Sequence, residues 1–169
     1  MILINPMDSF DTFYRTHREK LFGYLIRKTG DYHLSSDIMQ ESFARMLRSY
    51  GSGVQNSSLL YVIARNALLD HSKKSSRQAP IVEQPLDASA DPEQYFMIRE
   101  SYRHMLAAME QLDEGERDVL SMAANGDLSY REIGKIAGIS EANVKIKVHR
   151  ARIKLKKIIK EEIPHGISE

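Results

Sequence analysis

Apolar residues return every three or four positions along most of this chain, the period of one face of an α-helix. Phe10, Phe13, Tyr14, Leu21 and Leu25 form a first stripe after the start signals Asp8 and Ser9. Leu34, Ile38, Phe43, Met46, Leu47 and Tyr50 form a second, entered through Ser35, Ser36 and Asp37. Leu60, Ile63, Ala64, Ala67 and Leu68 form a third, with Ser57 or Ser58 as its cap. Glycine and serine cluster at 51–58, GSGVQNSS, and predict an exposed loop between the second and third helices.

The same period resumes near Glu93, where Phe96, Tyr102, Met105, Leu106 and Met109 share a face. Asp113 and Glu116 have capping-box spacing, Gly126 stands where a helix would stop, and Ser129 with Glu132 repeats the box more cleanly. Helices are predicted over about 129–137 and 140–163, separated only by Gly138 and Ile139. No segment alternates with the period of two that a strand needs. The fold class is therefore all-α: two small helical domains joined by a flexible linker, the C-terminal one a helix-turn-helix.

Between the two blocks lies SSRQAPIVEQPLDASADP, with Pro80, Pro85 and Pro92 and little periodicity. The expected division is a first domain over 1–76, a linker over 77–92 and a second domain over 93–169. Charge changes sign at the linker and again within the second domain. The net value is +1, yet residues 1–78 carry +4, residues 79–126 carry −7 and residues 127–169 carry +4. Two basic ends suggest two contacts with a polyanion. The acidic middle opposes both, so the free chain is expected to bind DNA poorly.

Composition removes several other chemistries. The chain has no cysteine, which excludes disulfides, thiolate metal sites and thiol nucleophiles. The apolar run in MILINPMDSF is too short for a secretory signal, and no stretch approaches the length of a membrane span. A soluble cytoplasmic protein without stable membrane contact is expected. The six histidines lack ligand spacing, and no G-x-G-x-x-G, P-loop or H-E-x-x-H occurs. Neither an enzyme nor a cofactor or metal is expected.

The most informative stretch is LSYREIGKIAGISEANVKIKVHRARIKLKK. A capped short helix, a turn at Ala137-Gly138-Ile139 and a second helix capped by Ser140 match a helix-turn-helix. Val144, Val148, Ala151 and Leu155 line the inward stripe of the second helix. Ala142, Ile146, His149, Arg150 and Ile153 fall on the opposite face. From Ala142 to Lys160 there are eight Lys and Arg and no acid. Such a face suits a DNA major groove. Arg150 has the reach to read guanine and Ile146 to press on a thymine methyl. Asn143 lies at the helix start, where free N–H groups favour a phosphate. Lys145, Lys147, Arg152 and Lys154 flank the face, where phosphates lie.

These residues resemble the extracytoplasmic-function sigma factors of bacterial RNA polymerase. LSYREIGKIAGISEANVKIKVHRAR is similar to the family's domain-four pattern, DIMQESF (37–43) to its polymerase-docking motif, and LLYVIARNALLDHSKK (59–74) to its minus-ten helix. The order and spacing agree over most of the chain. The resemblance implies that Asp37, Gln40 and Glu41 dock on the polymerase core. It implies that Tyr61, Arg65, Asn66, Asp70, Lys73 and Lys74, continuing into Arg77, hold the opened minus-ten strand. It places Asn143, Lys145, Ile146, Lys147, His149, Arg150 and Arg152 at the minus-35 element, and it implies an anti-sigma partner. Tyr61 has two readings, a stacking ring or a core tyrosine. The chain departs from the family at Leu59 and Val62, where Trp and Arg are frequent. It departs again at Ile146, where a small polar residue is common, and at Ala142-Asn143, where Gly-Thr is frequent. The competing reading is a polymerase-independent helix-turn-helix regulator that binds DNA as a dimer.

Overall fold

The structure, a computed structural model, describes residues 6–74 and 92–162. Among them are seven helices and no strand: α1 (Pro6–Thr29), α2 (Tyr32–Tyr50), α3 (Ser57–Lys74), α4 (Pro92–Glu110), α5 (Glu114–Ala123), α6 (Tyr130–Ala137) and α7 (Glu141–Glu162). The expected linker, Pro92 apart, lies outside the described residues, as does Arg77.

Helices α1 to α3 close on an aromatic core. Phe10, Phe13, Leu21, Leu25, Ile38, Phe43, Met46, Leu60, Ala64, Ala67 and Leu68 are all buried, as their spacing predicts. Phe43 anchors the group edge-on, with ring centroids 4.8 Å from Tyr14 and 6.5 Å from Phe10. Tyr50 departs from its stripe and is 49% exposed, because it ends α2 where the helix runs past the core into Gly51.

Two helix starts also differ from the sequence reading. Helix α2 begins at Asp31, whose carboxylate accepts from the Leu34 amide at 3.0 Å, and not at Ser35–Asp37. Ser35 is buried and exchanges a hydrogen bond of 2.9 Å with the Thr29 hydroxyl. At α3 the Asn56 side chain accepts from Leu59 N–H at 3.1 Å, one place before the expected serines.

Helices α4 to α7 form the second unit, with Met109, Leu112, Val119, Met122, Ile133, Ile136, Val144, Val148 and Ala151 buried. The Ser129–Glu132 capping box forms in both directions. The Asp113–Glu116 box does not. Both carboxylates instead hold Lys154 of α7, at 2.9 and 2.8 Å, and are drawn away from their own helix start.

The two units are packed together. Helix α1 lies against α4 and α5, and α3 lies against α6. At this seam the rings of Tyr24 and Tyr61 meet at a tilt of 53°, with centroids 5.3 Å apart.

Candidate nucleic-acid and polymerase interfaces

The turn between α6 and α7 is held by two glycines. Gly138 adopts φ +72°, the left-handed conformation that lets α6 stop and α7 start at an angle. Gly134, on α6, takes the Ile139 N–H on its carbonyl at 2.9 Å. A Cβ there would lie 2.7 Å from the Ile139 carbonyl oxygen, so the turn sits directly on bare backbone. Sequence reading singled out Gly138 but not Gly134, whose role depends on where the turn folds back.

Helix α7 is therefore rigidly backed, by Val144, Val148 and Ala151 in the core. Its outer face carries the exposed side chains of Asn143, Lys145, Ile146, His149, Arg150 and Arg152. Ile146 is 47% and Ile153 56% exposed, unusual for isoleucine on a solvated helix. The cations divide into two sets. Lys147 folds back so that its ammonium lies 3.2 Å from where a Cβ on Gly115 would stand, and Lys154 is committed to Asp113 and Glu116. Hydrogen bonding from Lys154 holds the Asp113 carboxyl below its ordinary range, and Glu116 above all raises Lys154. Lys145 pairs loosely with Glu141 at 3.8 Å. Arg150 and Arg152 project from the face with no ion-pair partner among the described residues.

On α2, Asp37 and Gln40 are exposed. Glu41, on the same polar face, accepts from Arg45 at 2.6 Å and Arg48 at 3.2 Å. The Arg45 hydrogen bond above all lowers its pKa. Arg45 also approaches Asp70 of α3 at 3.7 Å, which ties the polar face of α2 to α3.

The residues proposed for the minus-ten strand separate into two groups. Asn66, Asp70, Lys73 and Lys74 are exposed. Tyr61 is 1% exposed, and its hydroxyl accepts from Asn125 Nδ2 at 2.9 Å. Burial pushes the Tyr61 phenol up to about 12. Arg65 donates through Nε to Asp118 at 3.0 Å. In this arrangement Tyr61 and Arg65 are covered by α5 and the turn that follows it.

Asp118 is the centre of that cover. It is 3% exposed and receives Tyr24 Oη at 2.8 Å, Lys28 Nζ at 2.7 Å and Arg65 Nε at 3.0 Å. Burial alone would raise its pKa, but Lys28 and the donated hydrogen bonds outweigh burial and hold it below the carboxylate range. The Tyr24 phenol is pushed well above its ordinary value, by burial first and then by Asp118, so it remains a donor. Around this centre Arg27 donates to the Ser121 carbonyl and to Asn125, Asp127 meets His17 and Lys20, and Ser58 meets Glu132. None of these seam residues was singled out for contact with the other unit; Tyr61 and Arg65 were expected at the minus-ten strand. Their partners lie far away in sequence, and no local pattern marks them.

Among the described residues no group of three or more His, Asp or Glu is placed to hold a metal ion, and no helix is long and apolar enough to cross a membrane.

Comparison with known proteins adds to this geometry. The family pattern described as sigma-70 region 2 matches residues 13–78, and that described as sigma-70, region 4 matches residues 102–155. The chain is 29% identical over 156 residues to the ECF RNA polymerase sigma factor SigM of Bacillus subtilis (strain 168), covering 88% of this chain and 93% of that one. It is 28% identical over 160 residues to the RNA polymerase sigma factor CarQ of Myxococcus xanthus, covering 91% of each. Among solved structures, the sigma factor RpoE in complex with the anti-sigma factor NepR from Bartonella quintana superposes with a TM-score of 0.69 at 17% identity, over 91% of this chain and 98% of that one. CnrH in complex with the cytosolic domain of CnrY gives 0.68 at 18% identity, over 94% and 92%. At these identities the two structures speak for the fold.

Proposed function

Because the chain belongs to the extracytoplasmic-function family of RNA polymerase sigma factors and directs promoter-specific transcription, we propose that its two helical units grip the promoter at two places. The first unit docks on the polymerase core through Asp37, Gln40 and Glu41. It holds the opened minus-ten strand with Tyr61, Arg65, Asn66, Asp70, Lys73 and Lys74. The second unit lays α7 in the minus-35 major groove, where Arg150 reads a guanine edge and Ile146 meets a thymine methyl. Asn143, Lys145, His149 and Arg152 border that contact, and Lys147 joins them once its ammonium swings off α5. The division is a docking and minus-ten domain over 1–76, a linker over 77–92 and a minus-35 domain over 93–169.

The observation that carries this reading is the outer face of α7. Its Arg150 and Arg152 are exposed and have no ion-pair partner among the described residues, on a helix whose opposite side is locked in the core. The protein works by binding and not by bond-breaking, in the cytoplasm where its polymerase resides. An anti-sigma partner fits the same reading. Of the solved proteins that share its fold, the sigma factor RpoE was captured with the anti-sigma factor NepR, and CnrH with the cytosolic domain of CnrY.

The test is run-off transcription by purified core polymerase on a genomic library, with and without the chain, together with core pull-down. New promoter-specific transcripts are expected. If the purified chain fails to associate with core polymerase, the reading gives way to a free-standing helix-turn-helix regulator.

A further inference from the structure

The end of α3 carries Arg65, Lys73 and Lys74, and one acid stands among these cations, Asp70. Against a phosphate chain an uncompensated carboxylate is repelled. Lys73 and Lys74 follow Asp70 at the spacing where charges on a helix meet. Among the described residues, however, its ion pair comes from the neighbouring helix, where Arg45 of α2 approaches Oδ2 at 3.7 Å.

Arg45 reaches across because it is held from behind. Its Nε donates to Glu41 Oε1 at 2.6 Å, and Arg48 donates to the same oxygen at 3.2 Å. Glu41 thereby fixes the plane of the guanidinium and leaves its NH1 edge facing α3. Both helices are anchored beneath, by Ser42, Phe43 and Met46 on α2 and by Ala67 and Leu68 on α3, all buried. A single exposed ion pair contributes little, but Glu41, Arg45, Arg48 and Asp70 form a network of four charges. The planar fork of arginine addresses two carboxylates at once, which the point charge of a lysine does not.

Asp70 keeps acceptor capacity beyond this pair. Its side chain is 57% exposed, and the described contact engages Oδ2. An ionised carboxylate only accepts hydrogen bonds. Phosphates and sugar-ring oxygens have no hydrogen to give, so on an opened DNA strand its attractive partners are the N–H groups of bases. Exocyclic amino groups are the most accessible of these on an unstacked base.

Building on the promoter-directing reading above, we propose that Asp70 selects one amino-bearing base of the opened strand by accepting from its exocyclic amino group, and that Arg45 is the positioning residue for this carboxylate. Arg45 offsets the Asp70 charge against the phosphates and steadies its orientation, without touching DNA itself. Because Glu41 orients Arg45, the helix face that meets polymerase also sets the residue that reads the base.

The test uses holoenzyme assembled from core polymerase and the full chain, with a fork-junction DNA cut from a promoter that run-off transcription yields. In its single-stranded part each adenine or guanine is replaced in turn by hypoxanthine and each cytosine by uracil. Each replacement removes one amino group. At one position the wild type should lose about tenfold in affinity, the weight of a hydrogen bond to a charged group. Asp70→Ala should be indifferent to that replacement. Arg45→Ala should bind the parent fork about threefold more weakly, the scale of an exposed ion pair, and should discriminate less at the same position. Added to Asp70→Ala, it should change nothing further.

If every discriminating position survives Asp70→Ala, or none discriminates in the wild type, the base-reading role falls. Discrimination lost in Asp70→Ala yet intact in Arg45→Ala overturns the positioning role. So does an Arg45→Ala effect that persists without Asp70, since it would put Arg45 on the DNA. Should circular dichroism show Arg45→Ala unfolded, Arg45→Gln, which keeps most of the stem, takes its place. Core-polymerase pull-down by the wild-type chain runs in parallel. Capture with failed discrimination removes this inference alone, whereas absence of capture removes the promoter reading beneath it.

Discussion

Single residues in the helix-turn-helix have roles set by very short distances. Gly134 leaves no room beyond its hydrogens, because the Ile139 carbonyl lies where a side chain would begin. Alanine requires that carbonyl to retreat, and a branched side chain requires the whole turn to move. Gly134→Val should therefore lower unfolding stability by about 1–3 kcal/mol through overpacking, read as a lower denaturant midpoint. An unchanged midpoint would mean the turn yields freely. Arg150 is the opposite case, an exposed residue whose effect needs a partner. Arg150→Ala should leave the melting curve in place, weaken minus-35 binding by roughly 1–3 kcal/mol and relax preference at one base pair. An unaltered footprint would assign the base contact to another side chain.

At the scale of elements, helices α2 and α7 each present one polar face from an apolar anchor. On α2, Ile38, Phe43 and Met46 are buried, while Asp37 and Gln40 point outward and Glu41 sits between Arg45 and Arg48. Carboxylates placed this way suit an arginine-bearing helical partner. Asp37→Arg combined with Glu41→Arg should abolish core-polymerase pull-down with little change in helical content by circular dichroism. Retained capture by the double variant would move the docking site elsewhere. On α7 the lysines that looked equivalent by spacing are not equivalent. Lys154 fastens the helix to α5, and Lys145 stays at the surface. The wheel locates a lysine on a flank but cannot show that Asp113 and Glu116 wait beside one flank only.

For the whole molecule, the acidic middle of the chain acts as glue between its basic ends. Asp118 binds Lys28 and Arg65 from the first unit, and Asp113 and Glu116 bind Lys154 from the last helix. The Asp118 carboxyl is held below its ordinary value, so it contributes stability above its unfolded pKa of about 3.9 and loses that contribution as pH falls through the folded pKa. The seam should accordingly be firm at neutral pH and weaken in acid. Asp118→Asn has no charge to lose there, so its Tm should fall less than that of the wild type between about pH 6 and pH 3. Equal falls in the two proteins would show that the acid response arises from other carboxylates.

Local order along the chain determined the seven helices, their buried faces and the Ser129–Glu132 box, since helical periodicity and capping are matters of neighbours three or four residues apart. The three family motifs were legible for the same reason. Only the tertiary structure decided that Asp31 rather than Ser35 caps α2, that Asp113 and Glu116 turn from their own helix to Lys154, and that Tyr61 and Arg65 lie beneath α5. Tyr24 and Asp118 stand 94 residues apart. A carboxylate chooses its partners by distance and burial in space, and nothing in a linear order of charges states which cation will be within 3 Å.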